Sequence, residues 1–241
     1  MSATTRAGVW IFAAMAMTAC GAPAPDVADA RADLDASTEC DQGDASALPD
    51  GRTVSDRYVT RVVSFTPGAG ATFGADLLPG VVLGPPVGGG DFRGSSDVVS
   101  LGAGGEIVLG FDVDIVDGPG DDFVVFENPF AVPGSTDRYW EELAEVSVSL
   151  DGATWTTFAC DASGARPHTG CAGWNVVYSA PSSGLCATDP RVSGGDAFDL
   201  SRVGVSRARF VRVRDLRTQG LAPPSTGFDL DAIAVLHRAP R

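Results

Sequence analysis

Oxygen-bearing side chains are concentrated in one acidic stretch, residues 112–128, which contains the segment Asp-Gly-Pro-Gly-Asp-Asp-Phe-Val-Val-Phe-Glu-Asn. Calcium takes six to eight oxygen ligands, and acidic, glycine-rich turns supply both carboxylates and backbone carbonyls. Asp229 and Asp231 alternate with apolar residues near the C-terminus, and we expect them to share a buried face with Ile233 and Val235. A carboxylate beside a core needs a partner. The sequence therefore predicts a structural calcium ion bound by Asp117, Asp121, Asp122, Glu127, Asp229 and Asp231.

Two alternatives to calcium remain open for these acids. The Asp-Gly-Pro-Gly-Asp-Asp segment is also typical of a tight turn whose carboxylates are solvated. Arg212 or Arg214 could pair with the two C-terminal acids instead of a metal.

Aromatic and amide side chains form a second group of residues that could bind a ligand. Sugar rings stack on flat aromatic faces, while amides bond sugar hydroxyls. The sequence predicts ligand-binding roles for Trp140, Trp174, Asn175 and Tyr178. The alternative is that each tryptophan packs within the domain.

No arrangement of residues predicts catalysis, and we expect no catalytic residue. A Gly-x-Ser-x-Gly nucleophile elbow is absent from the sequence. The two histidines, His168 and His237, lie in a predicted loop and near the C-terminus, where the sequence suggests no Ser-His-Asp triad. Glu141 and Glu142 are adjacent in a stretch of helical character, residues 138–144, where we expect them to be solvated.

The cysteines can form disulfides if the chain is exported. Beyond Cys20, the chain has Cys40, Cys160, Cys171 and Cys186, which allow three pairings in an oxidising compartment. The short Gly- and Pro-bearing loop between Cys160 and Cys171 favours that pair. Cys40 would then bond to Cys186, unless Cys40 stays free.

The N-terminus has the pattern of a secretory signal, with Arg6 followed by an apolar run over residues 7–19 that is too short to span a bilayer. Met17-Thr18-Ala19-Cys20 resembles the lipobox of bacterial lipoproteins, although leucine is usual in place of Met17. The resemblance implies cleavage before Cys20 and a membrane anchor of lipid on that cysteine. Because Gly21 is not the aspartate associated with inner-membrane retention, it also implies the outer membrane or cell surface. An ordinary signal peptide cut after Ala19 is the alternative.

Charge excludes one class of partner. The chain has no lysine and a formal net charge of −14, and cleavage would leave 16 basic residues against 31 acidic ones. Nucleic-acid binding needs a basic patch, so we expect no such partner.

Composition divides the chain into three parts. Residues 21–51 are rich in Ala, Asp, Pro and Ser and poor in large apolar residues, which predicts a flexible tether. The expected boundaries are a signal peptide at 1–19, a lipid-anchored tether at 20–57 and a β-sandwich domain at 58–241.

Short runs of β-branched and aromatic residues, separated by Gly, Pro and Asp, predict an all-β sandwich or jelly roll. The last run has two largely apolar faces, which favours a central strand. The predicted strands are 60–65, 106–112, 122–127, 145–150, 154–158, 208–213 and 228–236.

Several segments resemble a family of uncharacterised bacterial cell-surface and secreted proteins, many of them lipoproteins. They are residues 82–86, 100–105, 117–128 and 227–232, and the resemblance extends over most of the domain. The last strand is similar, more distantly, to that of galactose-binding-like jelly rolls and carbohydrate-binding modules. That likeness implies a structural calcium ion and a glycan or another surface ligand bound by loops.

These patterns favour a non-enzymatic surface lipoprotein that binds a glycan or another surface component. One alternative is a structural or assembly component of the envelope. A glycoside- or ester-cleaving hydrolase is the second alternative.

Overall fold

The computed structural model describes Cys40 and residues 43–47, 53–135, 137–218 and 226–240. Cys40 begins the compact unit that contains all of them. The predicted signal peptide and Cys20 lie outside the described residues. The strands within this part of the chain are β1 (Ala45–Ala47), β2 (Thr53–Ser55), β3 (Arg61–Thr66), β4 (Val99–Ser100), β5 (Glu106–Val116), β6 (Phe123–Phe126), β7 (Phe130–Ala131), β8 (Tyr139–Trp140), β9 (Ala144–Ser149), β10 (Thr156–Thr157), β11 (Cys171–Ala172), β12 (Asp196–Phe198), β13 (Arg207–Asp215), β14 (Asp229–Leu230) and β15 (Ala232–Val235). The helical elements described are α1 (Pro190–Ser193) and 3-10 turns at Ala75–Leu77, Gly80–Val82 and Leu200–Val203.

The larger sheet is antiparallel, with strand order β10-β9-β13-β5-β3, and β11 also pairs with β9. Its longest strand, β5, has the apolar face that the sequence predicts, since Ile107, Leu109 and Phe111 are all fully buried. Alternation of two residues places such side chains on one side of the sheet.

A smaller sheet, with order β12-β6-β15, covers this apolar face. Phe123 and Val125 of β6 and Ile233 and Val235 of β15 belong to the same core cluster as the β5 residues. Phe123 stacks on Phe198 of β12 with ring centroids 5.2 Å apart. The predicted all-β sandwich is confirmed, and its core lies between the two sheets.

The opposite face of the smaller sheet is also buried. Val124, Phe126 and Ala234 pack in a second cluster with Tyr58 and Val177. Both faces of β15 are therefore apolar, although β15 lies at the end of its sheet and contacts Tyr58 through a single bridge. The prediction of a central strand is therefore wrong. An edge strand shows the same two apolar faces here because both sides of the smaller sheet are buried.

The last predicted strand is interrupted at Asp231. Residues 229–230 pair with β4, whereas residues 232–235 pair with β6. The interruption reverses the alternation, so Phe228 and Leu230 share the main core with Ile233 and Val235. Asp229 and Asp231 therefore do not continue the face of Ile233 and Val235 as predicted.

The folded part of the chain begins before the predicted boundary at residue 58. β1 and β2 form a hairpin, and Asp56 is fully buried. The Asp56 carboxylate accepts a hydrogen bond from the Asp44 backbone at 2.9 Å and one from Arg238 at 3.1 Å. These contacts attach the end of the predicted tether to the C-terminal segment.

Both expected disulfides form, Cys160–Cys171 and Cys40–Cys186, with Cα atoms 4.6 Å and 5.5 Å apart. This pairing is compatible with an exported protein. The expected helical character at residues 138–144 is wrong, because Tyr139 and Trp140 form β8 beside β7 and no helix lies there.

Candidate functional site

A surface cleft of about 560 Å³ lies next to the Cys160–Cys171 disulfide. One wall comes from the segment that follows β11, which carries Trp174 and Asn175. The other lining residues come from β11, α1, β12, the 3-10 turn at Leu200–Val203 and loop residues next to these elements and β6. Those with polar or charged side chains are Asp121, Thr169, Arg191, Asp196 and Arg202. The predicted pair of Trp174 and Asn175 therefore shares one concave site, in the size range of small-molecule pockets.

Asp196 forms part of the cleft lining and is almost completely buried. One carboxylate oxygen accepts hydrogen bonds from the backbone amides of Gly173 at 2.6 Å and Trp174 at 3.1 Å. The other oxygen, Oδ1, has no hydrogen-bond partner within the described part of the chain. Burial raises the pKa of Asp196 to about 7, although the bonded amides oppose the shift.

Close backbone packing fixes the start of the Trp174 segment. Gly173 has a φ of +95°, and a Cβ atom there would lie 2.0 Å from the carbonyl oxygen of Glu142. Only glycine fits this left-handed conformation and this approach. The position of Trp174 relative to residue 142 is thus set by the main chain.

Arg166 connects Trp174 to a neighbouring polar group. Its guanidinium lies 4.0 Å from the Tyr139 ring centroid and 5.6 Å from that of Trp174. It also pairs with Glu141 at 3.3 Å, and Glu141 in turn contacts buried His168 at 3.1 Å. The sequence analysis expected Glu141 to be solvated beside Glu142. In the structure, Glu141 instead pairs with Arg166 and His168.

Trp140 and Tyr178 lie outside the lining of this cleft. Trp140 is on β8 with 54% of its surface exposed, and Tyr178 is 42% exposed with its hydroxyl donating to Asp91 at 2.8 Å. Two of the four predicted ligand-binding residues, Trp174 and Asn175, thus line this cleft, and Trp140 and Tyr178 do not.

The predicted calcium ligands are also separated. Asp117 and Asp122, which precede β6 in the chain, form a carboxylate group with Asp199. Glu127, which directly follows β6, forms a second group with Glu142 and Asp229. The four residues of β6 span about 13 Å. Asp121 lines the cleft instead, where burial raises its pKa and Arg202 opposes that shift.

Asp122 is fully satisfied by the protein. Its carboxylate accepts hydrogen bonds from the amides of Gly118 and Leu200 at 2.8 Å and 2.7 Å, and His237 lies 2.9 Å away. Asp199 caps the 3-10 turn at Leu200–Val203 by accepting from Ser201. This group therefore has the turn chemistry that the sequence left open as an alternative.

Asp231 is isolated from both groups. Its two oxygens accept from the backbone amide of Val87 at 3.1 Å and 2.9 Å, and burial raises its pKa well above the usual range. A backbone amide thus provides the partner that the buried position requires.

The group of Glu127, Glu142 and Asp229 has a different character. One carboxylate oxygen from each lies within 4.8 Å of the others, and both Glu127 and Asp229 are buried. Burial, with the neighbouring charge of Asp229, raises the pKa of Glu142 to about 8 and that of Glu127 well above its usual range. Three carboxylates in this arrangement can share protons or bind a cation.

Sequence reasoning missed Glu142 and Asp196. Glu142 gave only the weak signal of an adjacent acid pair, and nothing in the sequence places it beside Glu127 and Asp229. Asp196 gave no signal, because its β-strand is three residues long and follows two glycines.

Among the described residues, no helix has the length and apolar character needed to cross a membrane. A scan against protein-family models finds no match for the chain. A search of curated proteins likewise finds none that is similar.

Proposed function

We propose that the chain is a lipid-anchored protein of the bacterial outer membrane or cell surface, and that its β-sandwich binds a saccharide in the cleft beside Trp174. The observation that carries the proposal is the shared lining of Trp174, Asn175, Arg191 and Arg202. An indole ring offers a stacking face, and the amide and guanidinium groups offer hydrogen bonds to hydroxyl or carboxylate groups.

The cleft is suited to binding because a disulfide and several hydrogen bonds hold its frame in place. The Cys160–Cys171 disulfide closes the adjacent loop, and Asp196 holds the amides of residues 173 and 174. Asp189 holds Arg191 by side-chain contacts of 2.7 Å and 2.8 Å. Preorganised groups lose less entropy on binding.

A glycan array, followed by calorimetry with the best saccharide, tests this proposal. Trp174→Ala should weaken binding at least about tenfold, equivalent to about 1.4 kcal/mol, because it removes the stacking face. Trp140→Ala is the matched control, since that ring is exposed but lies outside the cleft. Equal affinity in the two variants, or no saccharide bound by the unmodified chain, would reject the proposal.

One observation favours a second candidate, a glycoside hydrolase. Two carboxylates, Asp121 and Asp196, line the same cleft, and burial raises the pKa of both. A general acid near neutral pH requires such a shift. Mass spectrometry of the saccharide after incubation distinguishes the two functions, because a hydrolase shortens it and Asp196→Asn should then stop the shortening.

A further inference from the structure

We infer that Glu127, Glu142 and Asp229 form a calcium site, which goes beyond the proposed saccharide function and does not depend on it. One oxygen from each carboxylate lies within 4.8 Å of the others. Oxygens that bind one calcium ion at about 2.3–2.6 Å are at most about 5 Å apart. One ion can therefore contact all three groups.

An unpartnered buried oxygen provides independent support for the site. Glu127 is 2% exposed, and its Oε2 atom has no hydrogen-bond partner among the described residues. The backbone amide of Asn128 bonds to this carboxylate as well, so Glu127 is oriented by the protein while one oxygen lacks a partner. Buried polar atoms are rarely left in this state, and a cation would supply the missing contact.

The other two carboxylates are also held in place. The Ser100 hydroxyl donates to Asp229, and the backbone amide of Gly227 donates to Glu142 at 3.1 Å. Glu127 directly follows β6, Glu142 lies in the segment before β9, and Asp229 belongs to β14. A bound ion would thus join three parts of the fold that are distant in sequence.

The ligand chemistry favours calcium over transition metals. All three donors are carboxylates, without the histidine nitrogen or cysteine sulfur that zinc and copper prefer. Magnesium demands near-ideal octahedral geometry and retains water, whereas calcium accepts irregular oxygen sites. Glu142, the partly exposed member, gives the site an outward side.

Calcium titration of the full chain, freed of metal by chelation, tests the inference. We expect one calcium ion per chain and a melting temperature that rises by about 5–10 °C at a hundredfold excess over Kd. Magnesium at the same concentration should have a smaller effect. A metal-free chain whose calorimetry and melting curve show no response to calcium overturns the site.

Three variants locate the ion. Glu127→Gln should weaken calcium binding at least about tenfold, because a neutral amide replaces a charged ligand. Glu142→Gln should have the same effect, and its partly exposed position makes it the safer variant for folding. Asp117→Asn is the matched control from the other carboxylate group and should keep full affinity. Undiminished affinity in Glu142→Gln and Glu127→Gln, or a loss confined to Asp117→Asn, would contradict the assignment.

Discussion

Asp122 and Glu127 flank the same four-residue strand, yet their surroundings give them different chemistry. Asp122 lies where two backbone amides and His237 converge, so its charge is compensated locally. Glu127 lies among other carboxylates, and one of its oxygens has no hydrogen-bond partner within the described part of the chain. Equally acidic residues in one segment thus differ in what they can bind.

Asp196 leads to a prediction about pH. Its pKa is about 7 in the folded chain against an ordinary value of 3.8, so the folded state keeps a proton that the unfolded state releases. Stability should therefore fall as pH rises from about 4 to about 7, by on the order of 4 kcal/mol from this group, and the loss should persist at higher pH. Urea unfolding at pH 5 and pH 8, with excess chelator, measures the effect.

Asp196→Asn is the comparison for this prediction. An amide oxygen can still accept from Gly173 and Trp174, but it does not ionise. The variant should lose less stability between pH 5 and pH 8 than the unmodified chain. Parallel losses in the two proteins would show that another group controls the dependence.

At the scale of elements, periodicity predicted the strands well, and each of the seven predicted segments contains strand structure. The alternation in β5 was sufficient to identify this strand, although each of its pairings contains one register shift, between Ala208 and Phe210 of β13 and between Val62 and Ser64 of β3. The interruption at Asp231 could not be predicted, since the change of partner from β4 to β6 depends on a tertiary contact. The same limit applies to the sites. Trp174 and Asn175 are adjacent in sequence, whereas Glu142 joins Glu127 and Asp229 only through folding.

The two disulfides should contribute differently to the free energy of unfolding. Replacing Cys160 and Cys171 with serine should lower the free energy of unfolding by about 2–4 kcal/mol, since their loop is short. Replacing Cys40 and Cys186, which are 146 residues apart, should cost more in the chain-entropy account. Urea unfolding of both double variants tests this order.

Binding measurements separate the two disulfides further. The Cys160–Cys171 pair borders the cleft through Cys171, so its loss should weaken saccharide binding, whereas loss of the Cys40–Cys186 pair should not. An equal effect of both pairs on affinity would contradict a local role for the first.

For the whole molecule, net charge and the two disulfides limit how and where the chain can meet a membrane. A formal net charge of −14 disfavours contact with anionic surfaces, so electrostatic attraction would not hold the chain at a membrane. Two disulfides are compatible with an oxidising compartment. A covalent lipid on Cys20 would hold such a chain at a membrane without electrostatic attraction.

The final prediction concerns that anchor. Mass spectrometry of the protein from membranes should find an N-terminal Cys20 that carries acyl chains, and Cys20→Ala should block processing or release the protein. Cys40→Ala is the matched control, because it removes a cysteine bonded to Cys186 but leaves the apolar run and Cys20 intact. That variant should remain acylated and membrane-bound. A soluble, unacylated mature protein from the unmodified gene would reject the anchor, because an acidic chain then has no lipid to retain it at the membrane.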